Sequence, residues 1–111
     1  MLIPKNRDSV GELIKKIPEM KNEIDEGDID KPYVVFGLFA EYLKRNVLNE
    51  ELVQRSFDLL NQFSDGEDPE LANLVQVGVF ESIAHDPQWQ TLARQYLRPK
   101  AMWLFQNARR I

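Results

Sequence analysis

PELANLVQVGVFESIAH (residues 69–85) is the most informative segment of the chain. Its apolar residues surround most of a helical projection: Leu71, Leu74, Val75, Val77, Val79, Phe80, Ile83 and Ala84. A helix that is apolar nearly all round is buried, so we expect residues 69–85 to form a central helix that the other helices pack around. Gly78 lowers the helix propensity of this segment by about 1 kcal/mol, and a close crossing with another helix would compensate for that loss.

The rest of the chain shows amphipathic helical patterns that begin at capping residues or prolines. Helix starts are predicted at the capping box Ser9–Glu12, at Pro32, at Asn49, at Asp68-Pro69, at Asp86-Pro87 and at Pro99. Residues 33–40 contain the valines and aromatics of a buried strand, but the apolar spacing from Phe36 to Val47 favours a helix. We therefore predict a single all-α domain over residues 1–111, with about six short helices around the central one. Consecutive antiparallel pairs could also stack in a HEAT-like way.

Composition excludes several classes of function. The 111 residues fit one domain, contain no cysteine and include a single histidine, His85. Thiolate chemistry, disulfides and multi-histidine metal sites within one chain are therefore excluded. His85 follows the predicted central helix, where the helix dipole favours a histidine without any catalytic role. The sequence has no apolar run of transmembrane length and no signal-peptide pattern, so we expect a cytoplasmic protein that is not an enzyme and holds no metal or cofactor.

Acidic residues outnumber basic residues by 18 to 14, and they concentrate in two segments. We call the first the acidic turn (Asp25, Glu26, Asp28, Asp30) and the second the acidic loop (Asp65, Glu67, Asp68, Glu70). The acidic turn fails the calcium-loop pattern, because its fifth and sixth positions are Ile29 and Asp30. An acidic surface disfavours nucleic acid and attracts a basic protein. Both segments are therefore candidate partner-binding sites, although they could also simply keep the protein in solution.

Three further positions are singled out by their surroundings. Trp89 and Trp103 are both candidate interface anchors, because tryptophan is enriched at binding hot spots; Trp103 is the stronger candidate since it lies off the apolar stripe of the last helix, and core packing is the alternative for both. Glu81 interrupts the apolar central helix, so it must face solvent, stay protonated or pair with a base. Arg94 and Arg98 come from a C-terminal quarter that has no acidic residue, and they are its candidate partners in a structural polar network.

The chain resembles small all-helical immunity proteins of bacterial polymorphic-toxin and contact-dependent growth inhibition systems. The resemblance lies in PYVVFGLFAEYL (32–43), in NLVQVGVFESI (73–83) with its central Phe-Glu, and in ARQYLRPK (93–100) with its Leu-x-Pro break. It implies a non-catalytic cytoplasmic protein that binds one cognate toxin domain, as a monomer in a 1:1 complex, and blocks its active site. Many such toxins are basic nucleases, which an acidic surface would suit.

Two other functions stay open at this point. The chain could be a general helical adaptor for protein–protein interaction, unrelated to toxins. It could also be a small enzyme that uses carboxylates such as Glu81, although no second carboxylate at matching depth is marked by the pattern.

Overall fold

The computed structural model describes residues 8–110, and this part of the chain is helical with no strand. Its seven α-helices are α1 (Ser9–Lys16), α2 (Pro32–Arg45), α3 (Glu50–Asp65), α4 (Pro69–Asn73), α5 (Glu81–Ile83), α6 (Pro87–Tyr96) and α7 (Pro99–Ala108). A π-helical segment (Leu74–Phe80) joins α4 to α5, so residues 69–83 form one continuous central helix. Two 3₁₀ helices, Pro18–Glu23 and Glu26–Asp28, lie between α1 and α2. The all-α prediction is confirmed.

Three of the predicted helix starts carry side-chain caps. The carboxylate or amide oxygens of Asn49, Asp68 and Asp86 accept backbone N–H groups in the first turns of α3, α4 and α6, over 2.8–3.1 Å. The predicted capping box at Ser9 is wrong, because the cap of α1 is Asp8, whose Oδ1 accepts the N–H of Gly11 at 2.8 Å. Aspartate caps a helix as well as serine does, and the cap is therefore placed one residue earlier.

The central helix is held by close packing against α2. A Cβ atom built on Gly78 would lie 3.3 Å from Cβ of Phe36 and 3.3 Å from Cδ1 of Leu74, which confirms the predicted close crossing. The helix is not buried on all sides, however, because Val77 is 42% exposed and Asn73 is also exposed. One strip of the central helix therefore belongs to the surface.

Phenylalanine side chains from four elements fill the core. Phe36 packs against Phe39 and Phe63, with ring centroids 6.1 and 6.0 Å apart. Phe80 of the π segment meets Phe105 of α7 edge to face at 5.2 Å, a favoured aromatic geometry. The central helix thus packs between α2 and α7, and the radius of gyration of 13.2 Å equals the roughly 13 Å expected for one domain of this length.

Arg55 of α3 ties the N-terminal segment to the core. Its guanidinium donates to both carboxylate oxygens of Glu19, at 3.1 and 2.8 Å, to the carbonyl of Lys16 at 3.1 Å, and to Glu51. A hydrogen bond from Arg55 holds the pKa of Glu19 below its ordinary value, and a second hydrogen bond from the same guanidinium lowers the pKa of Glu51. Glu19 therefore holds the first 3₁₀ helix against α3.

Asn61 of α3 fixes the corner between α6 and α7. The side chain is 2% exposed, its Nδ2 donates to the carbonyl of Tyr96 at 3.0 Å, and its Oδ1 accepts the N–H of Arg98 at 2.8 Å. One buried amide thus satisfies two backbone groups at the Leu-x-Pro break, where helical hydrogen bonding is interrupted.

Candidate functional site

A groove of about 420 Å³ lies between the N-terminal ends of α2 and α4. We call it the Tyr33 groove, and its lining residues are Ser9, Pro32, Tyr33, Asp68, Glu70, Leu71 and Leu74. Leu71 and Leu74 are buried and form an apolar floor, whereas Glu70 and the 47% exposed ring of Tyr33 stand at the surface.

Local contacts fix the polar groups of this groove. The hydroxyl of Tyr33 accepts a hydrogen bond from Nδ2 of Asn73 at 2.6 Å, which holds the ring against the central helix. Oδ1 of Asp68 accepts the N–H of Glu70 at 2.9 Å, so its carboxylate is oriented by its role as helix cap. The aromatic ring and the Asp68 carboxylate are therefore positioned before any partner arrives.

The acidic turn adjoins the mouth of the Tyr33 groove in sequence. Asp25, Glu26 and Asp30 are exposed, whereas Asp28 is half-buried and accepts a hydrogen bond from Nζ of Lys31 at 3.3 Å. Pro32 and Tyr33, which line the groove, follow that lysine directly. The acidic turn therefore leads directly into two residues that line the groove, and its own carboxylates are not among the lining residues.

The acidic loop divides into structural and free carboxylates. Asp65 accepts a hydrogen bond from Nε of Arg98 at 2.7 Å, and Asp68 caps α4. Glu67 and Glu70 are exposed, and among residues 8–110 neither forms an ion pair with a basic side chain. Glu67 and Glu70 are therefore the members of the loop best placed to bind a partner.

A second groove of about 410 Å³ lies on the other side of α4. We call it the Trp103 groove, and its lining residues are Ser64, Ala72, Pro99, Lys100, Trp103 and Leu104. Trp103 is 63% exposed, and Trp89 is 2% exposed. Trp89 is therefore a core residue and not an interface anchor, whereas Trp103 belongs to the surface, as its place off the apolar stripe favoured. The acidic loop connects α3 to α4 between the two grooves.

The predicted pairing of Glu81 with Arg94 or Arg98 is wrong, because within residues 8–110 both arginines have other partners. Arg98 pairs with Asp65, and Arg94 donates to Oγ1 of Thr91 at 3.4 Å. Arg98 precedes α7 and lies beside the C-terminal end of α3, because Asn61 holds its backbone there. Glu81 is half-buried and begins α5, so it faces solvent in part and needs no buried counter-charge.

The described residues offer little that resembles a metal or acid–base centre. Within residues 8–110 no group of three histidine or carboxylate side chains converges in metal-binding geometry. The groups with clearly shifted pKa values are Glu19, Glu51 and Arg55, and none of them lines the Tyr33 groove. The shifted groups therefore belong to the structural network of Arg55.

A family model described as a domain of unknown function, DUF7674, matches residues 10–109. The chain belongs to the DUF7674 family. No curated protein and no solved structure matches it. Among residues 8–110 of this DUF7674 domain, no helix has the length and apolar character to cross a membrane.

Sequence reasoning missed the role of Tyr33 in this DUF7674 domain. The residue was grouped with the apolar run 33–40, but it is the second residue of α2, where a helix that packs through Val35, Phe36 and Phe39 turns residue 33 outward. The helical phase of the buried residues carries that signal. The hydrogen bond between Tyr33 and Asn73 joins residues 40 positions apart in the sequence, so no short sequence window predicts it.

Proposed function

We propose that this DUF7674 protein is an immunity protein, which binds and neutralises a cognate toxin domain by covering its active site with an acidic surface. The toxin domain is proposed to be basic and to act as a nuclease. One observation carries the proposal: the carboxylates of Asp68 and Glu70 line the Tyr33 groove together with the half-exposed ring of Tyr33, and the acidic turn ends two residues before Pro32, which also lines it. A groove that combines an aromatic ring with two carboxylates favours binding over a purely solubilising role.

The physical basis is electrostatic. The active site of a nuclease is basic because it holds phosphates, and exposed carboxylates can occupy the same positions. Opposite net charges also steer the two proteins together and raise the association rate at low salt. Trp103 adds a large exposed anchor on the other side of the acidic loop, and tryptophan is enriched among residues that dominate binding energy.

The proposal gives the chain no catalytic role and no cofactor. His85 is exposed and does not line the Tyr33 groove, so the groove lacks the side chain most often used for acid–base catalysis. The chain is proposed to act in the cytoplasm, as a monomer in a 1:1 complex with the toxin domain.

Affinity purification of the tagged protein from its native cells, followed by mass spectrometry, tests the proposal. We expect one stoichiometric partner that is a basic domain of a larger secreted protein, and nuclease activity of that domain should fall to background when this chain is added. Several weak partners or a housekeeping complex would favour the adaptor function and contradict the proposal.

Matched charge variants test the surface. Glu67→Gln with Glu70→Gln should weaken binding of the purified partner about tenfold, because two lost charge contacts cost roughly 0.7 kcal/mol each, and the salt dependence of the affinity should become shallower. The control is Glu50→Gln with Asp58→Asn, two exposed acids on α3 that change the net charge equally. Equal weakening by both pairs of substitutions would show that the affinity depends on net charge alone and not on the positions of Glu67 and Glu70.

A further inference from the structure

Exposed apolar side chains concentrate beside the Tyr33 groove. Six large hydrophobic residues are exposed among residues 8–110, and three of them, Ile29, Tyr33 and Val34, lie within six consecutive positions of the chain, of which Tyr33 lines the groove. Leu48 and Trp103 lie in other regions of the surface. The segment from Ile29 to Val34 therefore combines exposed apolar side chains with the neighbouring carboxylates of the acidic turn, a combination that solubility alone does not require.

The charge around these apolar residues has one sign. Segments 25–34 and 68–74 contain six carboxylates and a single basic residue, Lys31, whose ammonium group is already paired with Asp28. A partner segment that covers Ile29 and Val34 must therefore bring its own positive charges. Apolar side chains flanked by cations, at helical spacing, define a cationic amphipathic helix.

The groove itself favours arginine over lysine. The Tyr33 hydroxyl is bound by Asn73, and the side chain is 47% exposed beside Glu70 in the groove; a guanidinium can stack on an aromatic ring while its N–H groups bind a carboxylate. The methylene stem of the arginine can lie on the floor formed by Leu71 and Leu74. A lysine ammonium is more strongly hydrated and cannot stack or bind carboxylates in the same planar way.

We propose that the Tyr33 groove binds an arginine-bearing amphipathic helix of the partner, with an arginine in the groove and apolar residues on Ile29 and Val34. The proposal rests on the proposed function in taking the partner to be basic, and it adds the element that is recognised. The acidic turn and Glu70 would then bind the remaining cations of that helix.

A peptide titration of the ¹⁵N-labelled full chain, followed by NMR, tests this inference. The probe is a synthetic amphipathic helix with leucines on one face and arginines on the other, and its counterparts carry lysines or glutamates instead of arginines. We expect shift changes centred on residues 29–36 and 66–76, with affinities that fall from the arginine to the lysine peptide and vanish for the glutamate peptide.

Tyr33 variants supply the structural control. Tyr33→Ala should weaken the arginine peptide about fivefold, which corresponds to about 1 kcal/mol, whereas Tyr33→Phe keeps the stacking ring but loses the hydrogen bond from Asn73, so it should weaken the peptide less than Tyr33→Ala does. Leu48→Ala removes an 88% exposed side chain elsewhere and should change nothing. Circular dichroism of each variant verifies that the chain still folds.

The two proposals fail separately. Shift changes centred on the Trp103 groove, equal binding of arginine and lysine peptides, or unchanged affinity in Tyr33→Ala would overturn the inference about the Tyr33 groove, even if the native partner is a basic toxin domain. A native partner that is neither basic nor a toxin would overturn the proposed function. Arginine-peptide binding that depends on Tyr33 would in that case still support the groove as an arginine site.

Discussion

Alanine at Gly78 probes the crossing between the central helix and α2. In an open helical position, glycine to alanine stabilises a helix by about 1 kcal/mol. At Gly78, however, the new methyl group would lie 3.3 Å from Cβ of Phe36 and from Cδ1 of Leu74, closer than the roughly 3.5–4.0 Å at which carbon atoms attract best. Leu74 can rotate away, but Cβ of Phe36 moves only with its backbone, so the crossing itself must open.

The magnitude follows from two opposing effects. Overpacking of a tight core contact costs about 1–3 kcal/mol, and it acts against the gain of about 1 kcal/mol in helix propensity. We therefore expect Gly78→Ala to lower the free energy of unfolding by up to about 2 kcal/mol. Gly37 provides the matched control, because it lies within α2 and a Cβ there would meet no atom within 4 Å. Gly37→Ala should raise the free energy of unfolding by about 0.5–1 kcal/mol.

Urea denaturation followed by far-UV circular dichroism measures both variants. The expected difference between them is about 0.5–3 kcal/mol, and for a domain near 100 residues each kcal/mol shifts the melting temperature by about 4 °C or more. If Gly78→Ala were as stabilising as Gly37→Ala, the close approach would not hold the central helix in place, and the argument from the 3.3 Å contact would be wrong.

Other predictions address the remaining features. Asn61→Ala should lower the free energy of unfolding by about 2–3 kcal/mol, because two backbone groups lose their partner, and a loss below about 0.5 kcal/mol in urea denaturation would contradict that role. The pKa of Glu19 is lowered in the folded state, so its pairing with Arg55 stabilises the fold above pH about 4.5 and is lost as the pH falls through the folded pKa. Arg55→Met should accordingly cost on the order of 1 kcal/mol at pH 7 and progressively less in melts toward pH 3; a cost independent of pH would refute the pairing. Trp103→Ala should leave the melting temperature within about 2 °C of wild type, since the side chain is exposed, yet weaken the native partner about tenfold or more in calorimetry; loss comparable to that of Leu48→Ala would exclude Trp103 from the interface.

Most helix starts and helical segments could be predicted from local sequence patterns. The caps at Asn49, Asp68 and Asp86 each join atoms two or three residues apart, so a short sequence window contains the whole interaction. The helix over 32–45 followed from apolar spacing, which outweighed the strand propensity of its valines. The error at Ser9 has the same local origin, because Asp8 offers an equally good cap one position earlier. The π-helical geometry of 74–80 has no comparable local signature.

The candidate site depended on contacts that no short window contains. The sequence identifies the charged residues but not their partners. In the structure Glu19, Glu23 and Asp65 each accept a hydrogen bond from an arginine that lies 22 to 36 positions away. Of these three acids only Asp65 belongs to the acidic loop, and none belongs to the acidic turn. That the two acidic segments bind a partner stays a prediction, and the pairing of Asp65 with Arg98 separates this carboxylate from Glu67 and Glu70, which are unpaired within residues 8–110.

Separating structural from free carboxylates changes what a binding experiment can show. Neutralising the whole acidic loop would also remove the cap of α4 at Asp68 and the Asp65–Arg98 pair, so a loss of binding could come from a disturbed α4 rather than from lost charge. Glu67 and Glu70 carry charge without either structural contact. Because α4 begins the central helix and lies between the Tyr33 and Trp103 grooves, its integrity is required by any partner that uses either groove. Substitutions confined to exposed carboxylates are therefore the ones whose effect on affinity reports on electrostatics.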